Sequence, residues 1–103
     1  MDLSGKLKKV NAIVNILLDN INLFDCFNHV YLFGSAIKSN SPNDIDLLLV
    51  YNELSDVIIS SMHSIRNTIE EKYSLFPDLT VLSYKELSST IFLNKISTYI
   101  KIK

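Results

Sequence analysis

The strongest constraint on this chain lies in its middle, where two apolar strands are joined by a polar turn. Val30-Tyr31-Leu32-Phe33 reads as a buried strand that stops at Gly34-Ser35. Lys38-Ser39-Asn40-Ser41-Pro42-Asn43 has turn chemistry throughout, because Pro42 fixes its own φ and pushes Ser41 toward an extended shape. Asp44-Ile45-Asp46-Leu47-Leu48-Leu49-Val50 is then a second strand, and its continuous apolar second half predicts burial on both faces. Side chains alternate along a strand, so Asp44 and Asp46 aim together while Ile45 and Leu47 face the other way. Two carboxylates side by side at the mouth of an apolar strand repel each other and are costly to bury unpaired. A divalent cation removes both objections, and an all-oxygen donor set is what Mg²⁺ prefers. The pair therefore reads as half of a metal site.

Gly34-Ser35 adds the features a polyphosphate needs at the end of the preceding strand. Glycine lets a ligand approach the backbone closely. Serine offers a hydroxyl and can cap a short helix starting near Ala36, whose free N–H groups would face phosphate oxygens. Lys38, one turn later, would add a positive charge. Taken singly, Gly-Ser is an ordinary turn and Asp-x-Asp is two solvated carboxylates. The two gain meaning from standing at the facing ends of two apolar strands joined by one short polar connection.

Elsewhere the pattern predicts an α+β domain with a small mixed sheet of about four strands and helices against it. Leu7, Val10, Val14, Leu17, Leu18 and Ile21 fall on one face of a helix, with Lys6, Lys8 and Lys9 largely on the other. A second amphipathic helix is expected over about 53–72, with Leu54, Ile58, Met62, Ile65 and Ile69 inward and Pro77 ending the connection. Leu79-Thr80-Val81-Leu82 predicts a third strand, and Leu87, Ile91, Phe92 and Ile96 a last helix. Tyr99-Ile100-Lys101-Ile102 alternates like a short edge strand.

At 103 residues the whole chain, 1–103, is expected to be one domain. With 48% hydrophobic residues it can bury a core. Cys26 is its one cysteine, so no internal disulfide forms, which suits a reducing cytoplasm. The apolar runs are strand-sized, so neither a membrane span nor a secretory leader is expected. A net charge of −1 gives no bulk field to attract nucleic acid. No Gly-Lys-Ser/Thr is present to form a P-loop. Leu48 and Leu49 stand where an EF-hand loop needs an oxygen ligand and a glycine. His29 and His63 have no partner at zinc spacing, and are expected to be structural or surface residues.

The block Leu32-Phe33-Gly34-Ser35 with Asp44-Ile45-Asp46-Leu47-Leu48-Leu49 resembles the nucleotidyltransferase superfamily that includes the polymerase-beta-type enzymes. In length it is similar to the minimal nucleotidyltransferase branch. The motif covers about Tyr31 to Tyr51, while the order of elements agrees over nearly the whole chain. The resemblance implies that the chain is an Mg²⁺-dependent nucleotidyltransferase passing a nucleoside monophosphate, AMP from ATP, to an acceptor hydroxyl. Asp44 and Asp46 would hold two Mg²⁺ ions, and Gly34, Ser35 and Lys38 the phosphates of the NTP. The family has a third carboxylate on a later strand, which binds the catalytic metal and assists deprotonation of the attacking hydroxyl. Asp78, at the head of the third strand, is the candidate for it, the other reading being a turn residue after Pro77.

Many relatives have Arg-Gly four and five residues past the motif glycine. Here those places hold Lys38 and Ser39, which implies a weaker phosphate grip. Larger relatives bind the acceptor with an added domain that has no counterpart here. The resemblance thus implies an acceptor on a partner protein or on a second copy of this chain. Minimal nucleotidyltransferases of this size are paired with helical HEPN-type toxins, as antitoxins that adenylylate them. The alternative is a module that keeps the fold without catalysis and neutralises its partner by contact.

Overall fold

Strands β1 (His29–Phe33) and β2 (Asp44–Tyr51) form the antiparallel centre of a four-stranded sheet in the computed structural model, which describes residues 3–34, 44–90 and 98–103. Strand β3 (Phe76–Ser83) lies parallel to β2, and β4 (Tyr99–Lys101) antiparallel to β1, giving the order β3-β2-β1-β4. The protein is a small α+β domain with a mixed sheet, compatible with a polymerase-beta-like fold. A parallel pair needs a crossover, and helix α2 (Asp56–Tyr73) supplies it between β2 and β3. Helix α1 (Leu3–Asp19) and a 3-10 turn (Ile21–Phe24) precede the sheet, and helix α3 (Tyr84–Thr90) follows β3.

The two faces of the sheet are covered unequally. Ile45, Leu47 and Leu49 of β2 join Val30 and Leu32 of β1 on one face. They pack with Ile13 and Leu17 of α1, Phe24, Phe27, and Ile58, Ile65 and Ile69 of α2. The other face holds a smaller cluster of Tyr31, Leu48 and Val50, with Phe33, Leu82 and Leu87 against it. This is the burial on both faces expected of β2: Leu47 to Val50 are all fully buried.

Several boundaries and inward positions differ from the sequence expectation. Leu54 precedes α2 and is 71% exposed, because the helix begins only at Asp56. In α1, Ile13 is buried while Leu18 is 46% exposed, so the inward stripe is rotated toward Ile13 and Leu17. The α2 connection ends at Ser74, whose left-handed conformation (φ 53°) caps the helix with its N–H on the Glu70 carbonyl at 3.0 Å. Pro77 lies inside β3 rather than before it, opposite Ile45, a place proline tolerates because β3 is an edge strand. Helix α3 starts at Tyr84. Ile91, Phe92 and Ile96 lie outside the described residues, as do the side chains of Leu7 and the three lysines expected on α1.

His29 has the structural role expected of it. A neutral ring protonated on Nδ1 satisfies both contacts, donating to the Lys103 carbonyl at 3.4 Å while Nε2 accepts from the Tyr84 hydroxyl at 2.9 Å. His63 is exposed on α2.

Candidate functional site

Alternation along β2 puts Asp44 and Asp46 on the same face as Leu48 and Val50, the face away from α1 and α2. Asp44 is exposed and Asp46 half-buried, as expected at the open end of a strand that is otherwise buried. The parallel register of β2 and β3 sets Asp46 opposite Asp78, and Asp44 opposite Phe76. Residues paired in register share a face, so all three carboxylates stand on one side of the sheet at one end of it. Asp78 is exposed.

Gly34 closes this end from the β1 side. Its φ of +75° lies in the left-handed region, where a side chain is strained. Asp46 leans over its Cα: a Cβ at position 34 would meet Asp46 Oδ2 directly, with Cγ at 2.9 Å and Cβ at 3.1 Å. The glycine is therefore needed twice, for the turn out of β1 and for the space the Asp46 carboxylate occupies. Phe33, just before it, is the β1 partner of Asp46. Ser35, Lys38 and Ser39 lie outside the described residues.

The donor set suits a hard divalent cation, since every candidate ligand is a carboxylate oxygen. Among the described residues, no three His, Cys, Asp or Glu side chains converge as they stand to hold a metal ion. The register explains this. Asp44 and Asp46 are one pleat repeat apart, about 6.7 Å along the strand, and Asp78 is on a neighbouring strand. Mg²⁺ is ordinarily bound by one or two carboxylates together with substrate phosphates and water rather than by a closed protein cage. A site of this form fits an ion that arrives with a polyphosphate.

Aromatic side chains complete the face. Tyr31 is buried beside Tyr99, with ring centroids 5.4 Å apart and planes at 89°. Burial, with Tyr99 and Tyr84 nearby, pushes the Tyr31 hydroxyl above its ordinary pKa, so it stays neutral at physiological pH. The aromatic edge of the site was not legible beforehand. Phe33 and Tyr99 are far apart in sequence, and only strand pairing makes them neighbours.

No family model matches the chain, and no curated protein matches it. Among solved structures it is similar to a chain from the complex of tri-AMPylated Shewanella oneidensis HEPN toxin with MNT antitoxin. The identity is 20% over 95% of this chain and 71% of that one, with a TM-score of 0.49. A likeness of that size carries no weight on what this chain does, so its function has to be argued from the site itself. Among the described residues, no helix is long and apolar enough to cross a membrane.

Proposed function

We propose that the chain is a nucleotidyltransferase that transfers a nucleoside monophosphate, AMP from ATP, to an acceptor hydroxyl. One observation carries this reading. The β2–β3 register brings Asp78 beside Asp46 on the face that also bears Asp44, with Gly34 directly beneath the Asp46 carboxylate. An accidental Asp-x-Asp has no reason to gain a third carboxylate in register from a strand more than thirty residues later.

In this reading Asp44 and Asp46 bind and orient the Mg²⁺-triphosphate, while Gly34, over which the Asp46 carboxylate is seated, is proposed to border the phosphates. Ser35 and Lys38 are proposed to add a hydroxyl and a charge to the same grip. Bound Mg²⁺ would supply charge stabilisation to the attacking and leaving oxygens of an in-line displacement. Asp78 takes the proton from the acceptor hydroxyl as its oxygen bonds to the α-phosphorus and the bond to the β-phosphate oxygen breaks, releasing pyrophosphate. The rest is positioning, which three carboxylates on adjacent strands of one sheet can supply rigidly.

We place the acceptor on a partner protein, a HEPN-type toxin neutralised by adenylylation, on the strength of the motif's resemblance to the minimal nucleotidyltransferases. A second reading, a non-catalytic module that neutralises its partner by contact, draws support from Lys38 and Ser39, which stand where many relatives have Arg-Gly. One experiment separates them. The protein is incubated with labelled ATP, Mg²⁺ and a candidate partner, chosen as a short helical protein with an Arg-x₄-His motif encoded beside it. Label is expected on that protein, and Asp78→Ala should stop labelling while binding persists. Tight binding by the wild type with no labelling from any of the four NTPs would establish the contact-only module instead.

A further inference from the structure

The register sets Asp78, Asp46, Phe33 and Tyr99 in one row across all four strands, from β3 to β4. Half of the row is carboxylate and half aromatic. The next row inward is Thr80, Leu48, Tyr31 and Lys101, where Tyr31 and Leu48 are buried and Leu87 of α3 packs against them. The row at the carboxylates is the more open one, since Asp78 is exposed, Tyr99 is 42% exposed, and Asp46 and Phe33 are half-buried.

An exposed tyrosine on a three-residue edge strand is by itself unremarked surface. Two features set Tyr99 apart. Its ring stands perpendicular to that of buried Tyr31, an edge-to-face contact that fixes its orientation. It also lies two strand spacings from Asp46, about 10 Å across the sheet, at the end of β1 that Gly34 follows. A nucleotide whose phosphates lie over Gly34 and the carboxylates has its base one ribose away, and the aromatic half of the row is within that reach.

We propose that Tyr99, with Phe33 beside it, forms the stacking surface for the base of the bound nucleotide; this rests on the nucleotide-binding reading above. Every base has a π face, so an aromatic ring held at a fixed angle captures it without matching hydrogen bonds. The surface also accounts for a chemically divided row: charge for the phosphate end of the ligand, apolar rings for the other end. Tyr31 acts as the brace that keeps the Tyr99 ring upright.

The test compares two probes, Mg-ATP and Mg-tripolyphosphate, the second having the charge but no base. Tyr99→Ala is expected to weaken Mg-ATP about tenfold or more while leaving tripolyphosphate unchanged, and Tyr99→Phe should restore ATP affinity. Tyr99→Trp keeps a large ring at the same place, in a chain with no other tryptophan. Its fluorescence should be quenched by Mg-ATP and not by tripolyphosphate. Equal ATP affinity in wild type and Tyr99→Ala, with Tyr99→Trp emission unmoved by bound ATP, would overturn the stacking surface and leave the nucleotide site standing. If wild type binds neither probe, the stacking surface and the reading beneath it both fall.

Discussion

Gly34 and Asp46 are the two residues whose geometry is most interdependent. Alanine at position 34 would have to adopt φ near +75° and would drive its Cβ into the Asp46 carboxylate. The backbone alone makes this cost about 1–2 kcal/mol, and moving Asp46 adds to it. Urea unfolding of Gly34→Ala should show that loss as a lower midpoint with an unchanged slope. In an Asp46→Ala background the loss should shrink, since Oδ2 and Cγ are gone, without vanishing, since the Asp46 Cβ at 3.1 Å remains. An identical cost in both backgrounds would show that the carboxylate is not seated on the glycine. Asp78 behaves differently, because it is exposed and faces Asp46 across a strand pair. Without metal, Asp78→Asn removes a like charge and should leave stability unchanged or raise it by up to about 1 kcal/mol. A clear destabilisation in metal-free buffer would mean that Asp78 has a structural job and would count against a ligand role.

At the scale of elements, α3 is the part that holds the shallow face in place, and it begins with a reciprocal cap. The Glu86 N–H donates to the Ser83 hydroxyl at 3.1 Å, and the Ser83 N–H donates to Glu86 Oε1 at 3.0 Å. Those bonds, with a contribution from the Tyr51 hydroxyl, hold the Glu86 carboxyl below its ordinary value of 4.5. A carboxylate with a depressed folded-state pKa adds stability above its unfolded value and loses it as pH falls through the folded one. Fraying of α3 is therefore expected as pH drops below about 4.5, by a modest amount because the group is exposed. Amide exchange across Tyr84–Thr90 should report it, and Glu86→Gln should flatten the dependence. Ser83-Tyr84-Lys85-Glu86 has the spacing of a capping box, a signal that the expectation built on the apolar spacing of Leu87, Ile91, Phe92 and Ile96 did not use. Local patterns were legible where they were strong: the end of β1 at Gly34 follows from the glycine, the same-face aspartates from a period of two, and the doubly buried run to Val50 from its continuous apolar sequence. What no local pattern states is pairing. That Asp78 meets Asp46, or that Tyr99 meets Phe33, depends on a crossover helix and on the return of the chain to β1. The misplacement of Leu54 has the same root, since periodicity counts an apolar residue inward without knowing that the helix starts at Asp56.

For the molecule as a whole, the deciding question is whether ligand binding is coupled to the fold. The three carboxylates come from β2 and β3 and Gly34 from the end of β1, and that arrangement does not exist in the unfolded chain. A ligand that requires it binds only the native state and raises stability by mass action. At ten times its dissociation constant, Mg-ATP would add about 1.4 kcal/mol. For a domain near this size that is a rise in Tm of roughly 6–11 °C. Neither Mg²⁺ nor ATP alone should match the pair, because Asp44 and Asp78 are exposed carboxylates on separate strands that hold a cation weakly by themselves, and the polyphosphate meets uncompensated negative charge without Mg²⁺. Asp44→Asn with Asp46→Asn should abolish the shift while making the metal-free protein less stable by no more than about 1 kcal/mol. Differential scanning calorimetry of the four combinations, wild type and double variant with and without Mg-ATP, isolates the coupling. A wild-type Tm unmoved by millimolar Mg-ATP would remove the nucleotide from this fold. Transfer chemistry and the stacking surface would go with it, leaving the carboxylate row as a surface for contact alone.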